Sequence, residues 1–221
     1  MPRSLTVLLL AFGLVACAQA QPTPRPASAP SAASDTAPDP LLVPIGFGTL
    51  RQEELSVRVA FNALSVRFIP LDETVIRALS PDSYRALHGL RESKAAAVEA
   101  VRKRNGLAGV DLWYVSFFNL EQGEARFSPM EVVITSLGRD FRPLDILPLS
   151  PGFGEQRVKQ REVQNALYVF DPAIEVNNLL RVTVEAQQSD AWNDVLKRLE
   201  RERALIRSRA NAAKPATPPP L

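Results

Sequence analysis

The chain is 221 residues long, with 26 Lys and Arg against 24 Asp and Glu, a formal net charge of +2, one His and one Cys. Charge so close to balance gives no field to gather nucleic acid, so none is expected as a partner. A single His and a single Cys exclude an intrachain disulfide and a zinc site of the usual His/Cys kind, so neither metal nor other cofactor is expected and the fold must rest on its core.

Arg3 precedes an apolar run over residues 5–15. The run has the length of a signal-peptide hydrophobic region and is too short to cross a bilayer, which takes roughly 20 residues of helix. It leads into Leu14-Val15-Ala16-Cys17, which resembles the lipobox of bacterial lipoproteins. The resemblance covers only the first 17 residues. It implies that residues 1–16 are a signal peptide, that Cys17 is the lipid-attachment site, and that the new amino terminus is acylated. A cysteine thiolate is the nucleophile such a lipid transfer needs, and more than one acyl chain anchors stably. Ala18-Gln19-Ala20 also has the form of an ordinary secretory cleavage site, whose use would discard Cys17 and release a soluble periplasmic protein. Ala18 and Gln19 lack the aspartate that retains many Gram-negative lipoproteins at the inner membrane, so the resemblance implies the periplasmic face of the outer membrane.

Residues 17–40 follow as lipidated cysteine and tether. Positions 18–40 contain no Val, Ile, Leu, Met or aromatic residue and are rich in Pro, Ala and Ser. Such a segment buries too little to offset its conformational entropy, and a disordered spacer is expected.

Residues 41–187 are expected to form one domain. Leu55, Val57, Val59 and Phe61 alternate with polar or small residues, and Leu64, Val66 and Phe68 do so again after Asn62-Ala63, which predicts a β-hairpin. A short helical turn is expected over residues 73–79. Ser80-Pro81 reads as a helix start and Asn105-Gly106 as a stop, with Tyr84, Leu87, Ala95, Val98 and Val101 at helical spacing, so a single helix is expected over about 81–104. The aromatic run 112–120 suits a central strand, with Trp113, Tyr114, Phe117 and Phe118 read mostly as core. Phe127-Ser128-Pro129-Met130-Glu131-Val132 is echoed by Phe141-Arg142-Pro143-Leu144-Asp145-Ile146, and the echo predicts two strands of a hairpin around Gly138, each entered by a Phe. Pro143 and Pro148 make the second an edge or late-starting strand. Residues 166–170 and 179–185 supply two more strands. Seven or eight short strands with one helical insertion predict a mainly β, α+β chain: an antiparallel, loosely immunoglobulin-like β-sandwich plus a C-terminal helix.

Residues 188–211 form that basic helix, and 212–221 a Pro-rich disordered tail. Trp192, Val195, Leu196 and Leu199 give the helix an apolar stripe that fades, while residues 201–214 hold five basic residues against Glu202 alone. The back half is therefore expected to project, marginally helical and cationic, in weak salt-sensitive contact with anionic surfaces.

No catalytic residue is assigned. His88 is the sole histidine and falls on the predicted helix as a structural or surface residue, and no nucleophile elbow, phosphate loop or dinucleotide loop is present. The acid pairs Glu53/Glu54, Asp72/Glu73 and Glu121/Glu124 read as solvated charges, though a hydrolase built on carboxylates stays open as an alternative. Gly152-Phe153-Gly154 places an aromatic at a loop tip or plugs it into the core. If residues 155–162 are extended, Arg157, Lys159 and Arg161 align on one face beside Phe153, a cationic stripe for an anionic glycan, a headgroup or an acidic partner. These four are the candidate binding residues. The expected function is a membrane-anchored cell-envelope lipoprotein acting as a non-enzymatic binding or assembly module for an envelope protein or glycan.

Overall fold

The computed structural model describes residues 39–61 and 63–213. Cys17, the signal peptide and nearly all of the proline-rich spacer lie outside the described residues, as does the tail from residue 214 onward. In chain order the strands are β1 Val57–Phe61, β2 Leu64–Pro70, β3 Asp111–Asn119, β4 Glu124–Arg126, β5 Val132–Ser136, β6 Arg139–Phe141, β7 Asp145–Pro148, β8 Arg157–Lys159, β9 Val163–Phe170, β10 Leu180–Val184 and β11 Gln187–Ser189. The α-helices are α1 Glu73–Ile76, α2 Pro81–Ser93, α3 Ala95–Arg104 and α4 Trp192–Ala212. The chain is mainly antiparallel β-sheet with a C-terminal helix, an α+β fold.

Among the described residues three sheets form, ordered β1-β2-β3-β9-β7, β11-β10-β5-β6 and β4-β8, all antiparallel. One hydrophobic core serves them. Val57, Val59, Val66, Phe68, Trp113, Val115, Phe117, Ala166 and Tyr168 face it from the first sheet, and Val132, Ile134, Leu180, Val182 and Val184 from the second. Trp113 meets Trp192 of α4 at 6.1 Å between ring centroids, and Trp192 Nε1 donates to the Val176 carbonyl at 3.0 Å. Phe117 stacks on Phe127 at 4.2 Å. Buried large side chains of this kind each contribute about 1.5–3 kcal/mol.

The predicted hairpin forms, but Leu55 is not in it. Leu55 closes a 3₁₀ turn over Gln52–Leu55, and the strand begins at Val57. The single helix expected over 81–104 is two, broken at Lys94, where φ is −106° and ψ is 2°. Ser93 explains the break locally: its hydroxyl donates to the Leu90 carbonyl at 2.7 Å, competing with the helical ladder. Pro81 does start α2, and Gly106, at φ 65°, ends α3 in the left-handed conformation that glycine adopts freely.

The echo around Gly138 is half a hairpin. β5 pairs with β6 across the Leu137-Gly138 turn, but Phe141 ends β6 rather than entering a strand. Residues 145–148 cross to the first sheet and pair with β9 as its edge, where Pro148 costs no ladder bond, while Pro143 precedes the strand. Among the described residues eleven strands stand where seven or eight were expected.

The back half of α4 does not project. Glu202, Arg203, Ile206 and Ala210 are buried, on the same face as Val195 and Leu199. Glu202 accepts from Thr49 N at 3.0 Å and Thr49 Oγ1 at 2.9 Å, and Arg209 pairs with it at 2.7 Å. Polar side chains continue the stripe that the apolar ones began.

Burial along the strands shows where the first sheet is covered. In β9 every residue from Ala166 to Phe170 is buried, whereas Val163 is exposed and Asn165 half-buried. In β2 the alternation of buried and half-buried residues ends at Phe68, beyond which Ile69 and Pro70 are both buried. Continuous burial means both faces are covered and alternation means one is open. The helices inserted between β2 and β3 lie over the covered end. Arg91 donates to the Leu71 carbonyl at 3.3 Å, Arg104 pairs with Asp145 at 2.6 Å, and Ala95, Val98 and Leu112 share the lining of one cavity of about 330 Å³. The other end is bare.

Candidate functional site

Strand register assigns the bare end two rows of side chains. Arg58, Arg67, Ser116 and Asn165 lie opposite one another across β1, β2, β3 and β9, and Ala60, Ser65, Phe118 and Val163 form the next row on the same face. A cleft of about 320 Å³ opens over them, lined by Arg58, Ser65, Arg67, Ser116, Phe118, Leu120 and Val163. Phe118, Leu120 and Val163 are 38%, 56% and 42% exposed, an apolar cluster held open to solvent. Ser116 forms the floor at 3% exposure, and its Oγ has no hydrogen-bond partner among the described residues. Its cross-strand neighbour Asn165 likewise has a buried, unpartnered Oδ1. Arg67 Nη1 donates to Glu53 Oε1 at 3.0 Å, while Arg58 makes no ion pair among the described residues. Apolar walls with a few converging polar groups are what a binding pocket presents.

The residues singled out from sequence lie elsewhere and do not converge. Phe153 is buried in a 3₁₀ turn over Pro151–Glu155, wedged against Phe117 at 5.9 Å and Phe127 at 5.3 Å, so it is a core plug and not a contact residue. Arg157 and Lys159 do share the exposed face of β8, with Val158 buried between them. Arg161 has left the strand: at φ 60° it sits in the left-handed turn between β8 and β9, so the three-residue stripe does not form. Arg157 is moreover engaged by Glu124 at 3.1 Å and Glu155 at 3.5 Å. It lines a second cavity, of about 370 Å³, with Arg126, Phe127, Ser128, Glu155, Gln156 and Glu185, where cations and carboxylates are mixed.

His88 is tied into a clasp. Its Nδ1 is 2.9 Å from Glu73 Oε1, its ring stacks on Tyr84 at 5.2 Å, and Arg77 Nε donates to Glu73 Oε2 at 2.7 Å. Burial pushes the Glu73 carboxyl up, but the hydrogen bonds and charges of Arg77 and His88 outweigh it and hold the group below its ordinary value. The clasp joins α1 to α2. Most of the other paired acids are likewise engaged: Glu53 holds Arg67, Glu54 accepts from Arg51 N, Asp72 caps α1 through Thr74 N, and Glu124 holds Arg157, while Glu121 is exposed at the surface.

Asp111, at the start of β3, is the one carboxyl among the described residues that is strongly perturbed upward, to about 7. Burial is the main cause, the charges of Asp72 and Asp171 add to it, and the Ile174 N–H, donating at 3.2 Å, opposes it. Its observed work is to pin the turn after β9. Among the described residues no cluster of three or more His, Cys, Asp or Glu could hold a metal ion, and no helix is long and apolar enough to cross a membrane.

Sequence reasoning missed the cleft because it took Phe118 for core and gave Arg58 and Arg67 no role. The available signal was Ser116, the single small polar residue in the middle of an aromatic strand. Comparison with known protein families, curated proteins and solved structures finds no match for this chain.

Proposed function

We propose that this chain is a cell-envelope lipoprotein, anchored through acyl groups on Cys17 at the periplasmic face of the outer membrane, whose folded body is a non-enzymatic binding module. In this reading the two larger sheets are the layers of a loosely immunoglobulin-like sandwich, and the module serves an envelope protein or glycan partner. The observation that carries it is the bare end of the first sheet, where Phe118, Leu120 and Val163 stand exposed in one cleft above the unpartnered Ser116 hydroxyl. Exposed apolar residues scattered singly mean little, but a cluster rimmed by polar groups marks an interaction site. The engagement of Glu53, Glu54, Glu73 and Glu124 in ion pairs and hydrogen bonds supports a binding role over catalysis by those acids. Weak contact of the C-terminal helix with anionic surfaces belongs to the proposal only for its exposed cations, Lys197, Arg201 and Arg207.

Two measurements test the reading. Cys17→Ser should abolish fatty-acid labelling and release the protein from membranes; unchanged membrane association would remove the anchor. A photo-crosslinking amino acid replacing Phe118 in cells should give a discrete adduct with an envelope component, and the same probe replacing Thr183, on the second sheet, should not. Equal adducts from both positions would remove the cleft as the binding surface.

A further inference from the structure

The cleft carries its own specification of a ligand. Arg58 and Arg67 are directly opposite each other across β1 and β2, an arrangement that destabilises a strand pair unless an anion lies between or beside the two. Glu53 supplies one negative charge, to Arg67, and leaves the cleft with one cation in excess. The deficit is a single negative charge. Ser116 Oγ, buried and unpartnered at the floor in the same cross-strand row, adds a hydroxyl able to donate to an anion's oxygen. A guanidinium fork matches the two oxygens of a carboxylate, and a hydrogen bond to a charged group is stronger than one between neutral groups. In the next row and at the rim, Phe118, Val163 and Leu120 form an apolar wall, interrupted only by the Ser65 hydroxyl, and this wall favours an apolar tail. With liquid water filling about 30 Å³ per molecule, the 320 Å³ cleft admits a ligand of about ten non-hydrogen atoms.

We infer that this cleft binds a small aliphatic monocarboxylate of about eight carbons in all, its acid group at Arg58, Arg67 and Ser116 and its tail along Phe118, Leu120 and Val163. The inference rests on the reading of this cleft as the module's recognition surface and gives that surface a ligand class.

The probe is octanoate, titrated calorimetrically into the full chain carrying Cys17→Ser, so that no acyl group of its own competes. Saturable one-to-one binding is expected, with 1-octanol and acetate each at least about tenfold weaker, since the first lacks the charge and the second the tail. Arg58→Gln, at an exposed position, should weaken octanoate about tenfold or more while melting like the parent, and Ser116→Ala several-fold. Arg157→Gln, at the other cavity, should change nothing. Equal affinity for octanoate and octanol, or indifference to Arg58→Gln, would overturn the assignment in favour of a merely greasy patch. Absence of octanoate binding at millimolar concentration would overturn it too. A Phe118 crosslink surviving that result leaves the module reading standing, and loss of both ends both.

Discussion

The Arg203 guanidinium of α4 donates to the Thr74 carbonyl twice, at 2.8 and 3.2 Å, across 129 residues of sequence, and once more to Asn177 Oδ1 at 2.6 Å. Burial pushes the guanidinium's pKa down, and no carboxylate lies within ion-pair distance among the described residues. Arg203→Ala removes the donor, leaves the Thr74 carbonyl without it and opens a cavity. A loss of about 2–4 kcal/mol in urea unfolding is expected. A change below about 1 kcal/mol would show that the α1–α4 contact is incidental.

Truncation after Leu199 extends the same argument. It deletes Glu202, Arg203, Ile206 and Arg209, which together fasten the helix to Thr49, Thr74 and Phe47. Since domain stabilities run about 5–15 kcal/mol, loss of these contacts should leave the domain unfolded or aggregating on expression. A truncated protein that melts cooperatively at the parent's temperature would restore the projecting helix.

Asp111 makes stability depend on pH. Its carboxyl ionises near 7 in the fold against an ordinary 3.8, so the folded state holds a proton that the unfolded state releases. Stability from this group is therefore intact below about pH 4, falls as pH rises toward 7, and stays low above that. Asp111→Asn keeps an acceptor for Ile174 N–H and removes the charge. It should gain about 1–2 kcal/mol at pH 8, a figure discounted for solvent screening, and much less at pH 5. Thermal melts at both values decide; an equal effect at the two would refute the titration.

Gly48 is required for contact rather than for backbone freedom. A Cβ built there would lie 2.3 Å from the Leu79 carbonyl oxygen and 2.5 Å from the Ala78 carbonyl carbon, backbone atoms that cannot swing aside. Gly48→Ala should cost about 3 kcal/mol, the upper end for overpacking, whereas Gly154→Ala, with open space around it, should be nearly neutral. Similar melting temperatures for the two variants would contradict this.

Period-two alternation made the β1–β2 hairpin legible, and the aromatic run over 112–120 announced the central strand. What stayed hidden has a common cause: hydrophobicity patterns assign polar residues outward. Arg203 and Glu202 continue the stripe of Leu199 and Ile206 at helical spacing, yet their chemistry hid the continuation until their partners Thr74 and Thr49 were in place. The cleft was hidden for the converse reason. Phe118 reads as core, but half of the sheet face it occupies has no layer above it, and where a layer stops depends on how far the α2–α3 insertion reaches. The Arg157–Lys159–Arg161 stripe failed on a single backbone angle, the left-handed Arg161, that no pattern of charge records.

Arg207 donates to the Pro40 carbonyl, and Arg209 to the Phe47 carbonyl at 2.8 Å, so the segment that begins the folded body is strapped along the end of the helix that finishes it. A few residues on, Leu50 bridges to Leu79. Mechanically, this sets the load path. A pull applied at residue 39 meets in turn the Arg207 bond to Pro40, the buried Val43, the Arg209 bond to Phe47, the Thr49–Glu202 bonds and the Leu50 bridge, all of them ahead of β1 in the chain. Under load the strap is expected to give way before the five-stranded sheet, sparing the cleft above Ser116 on β1, β2 and β3.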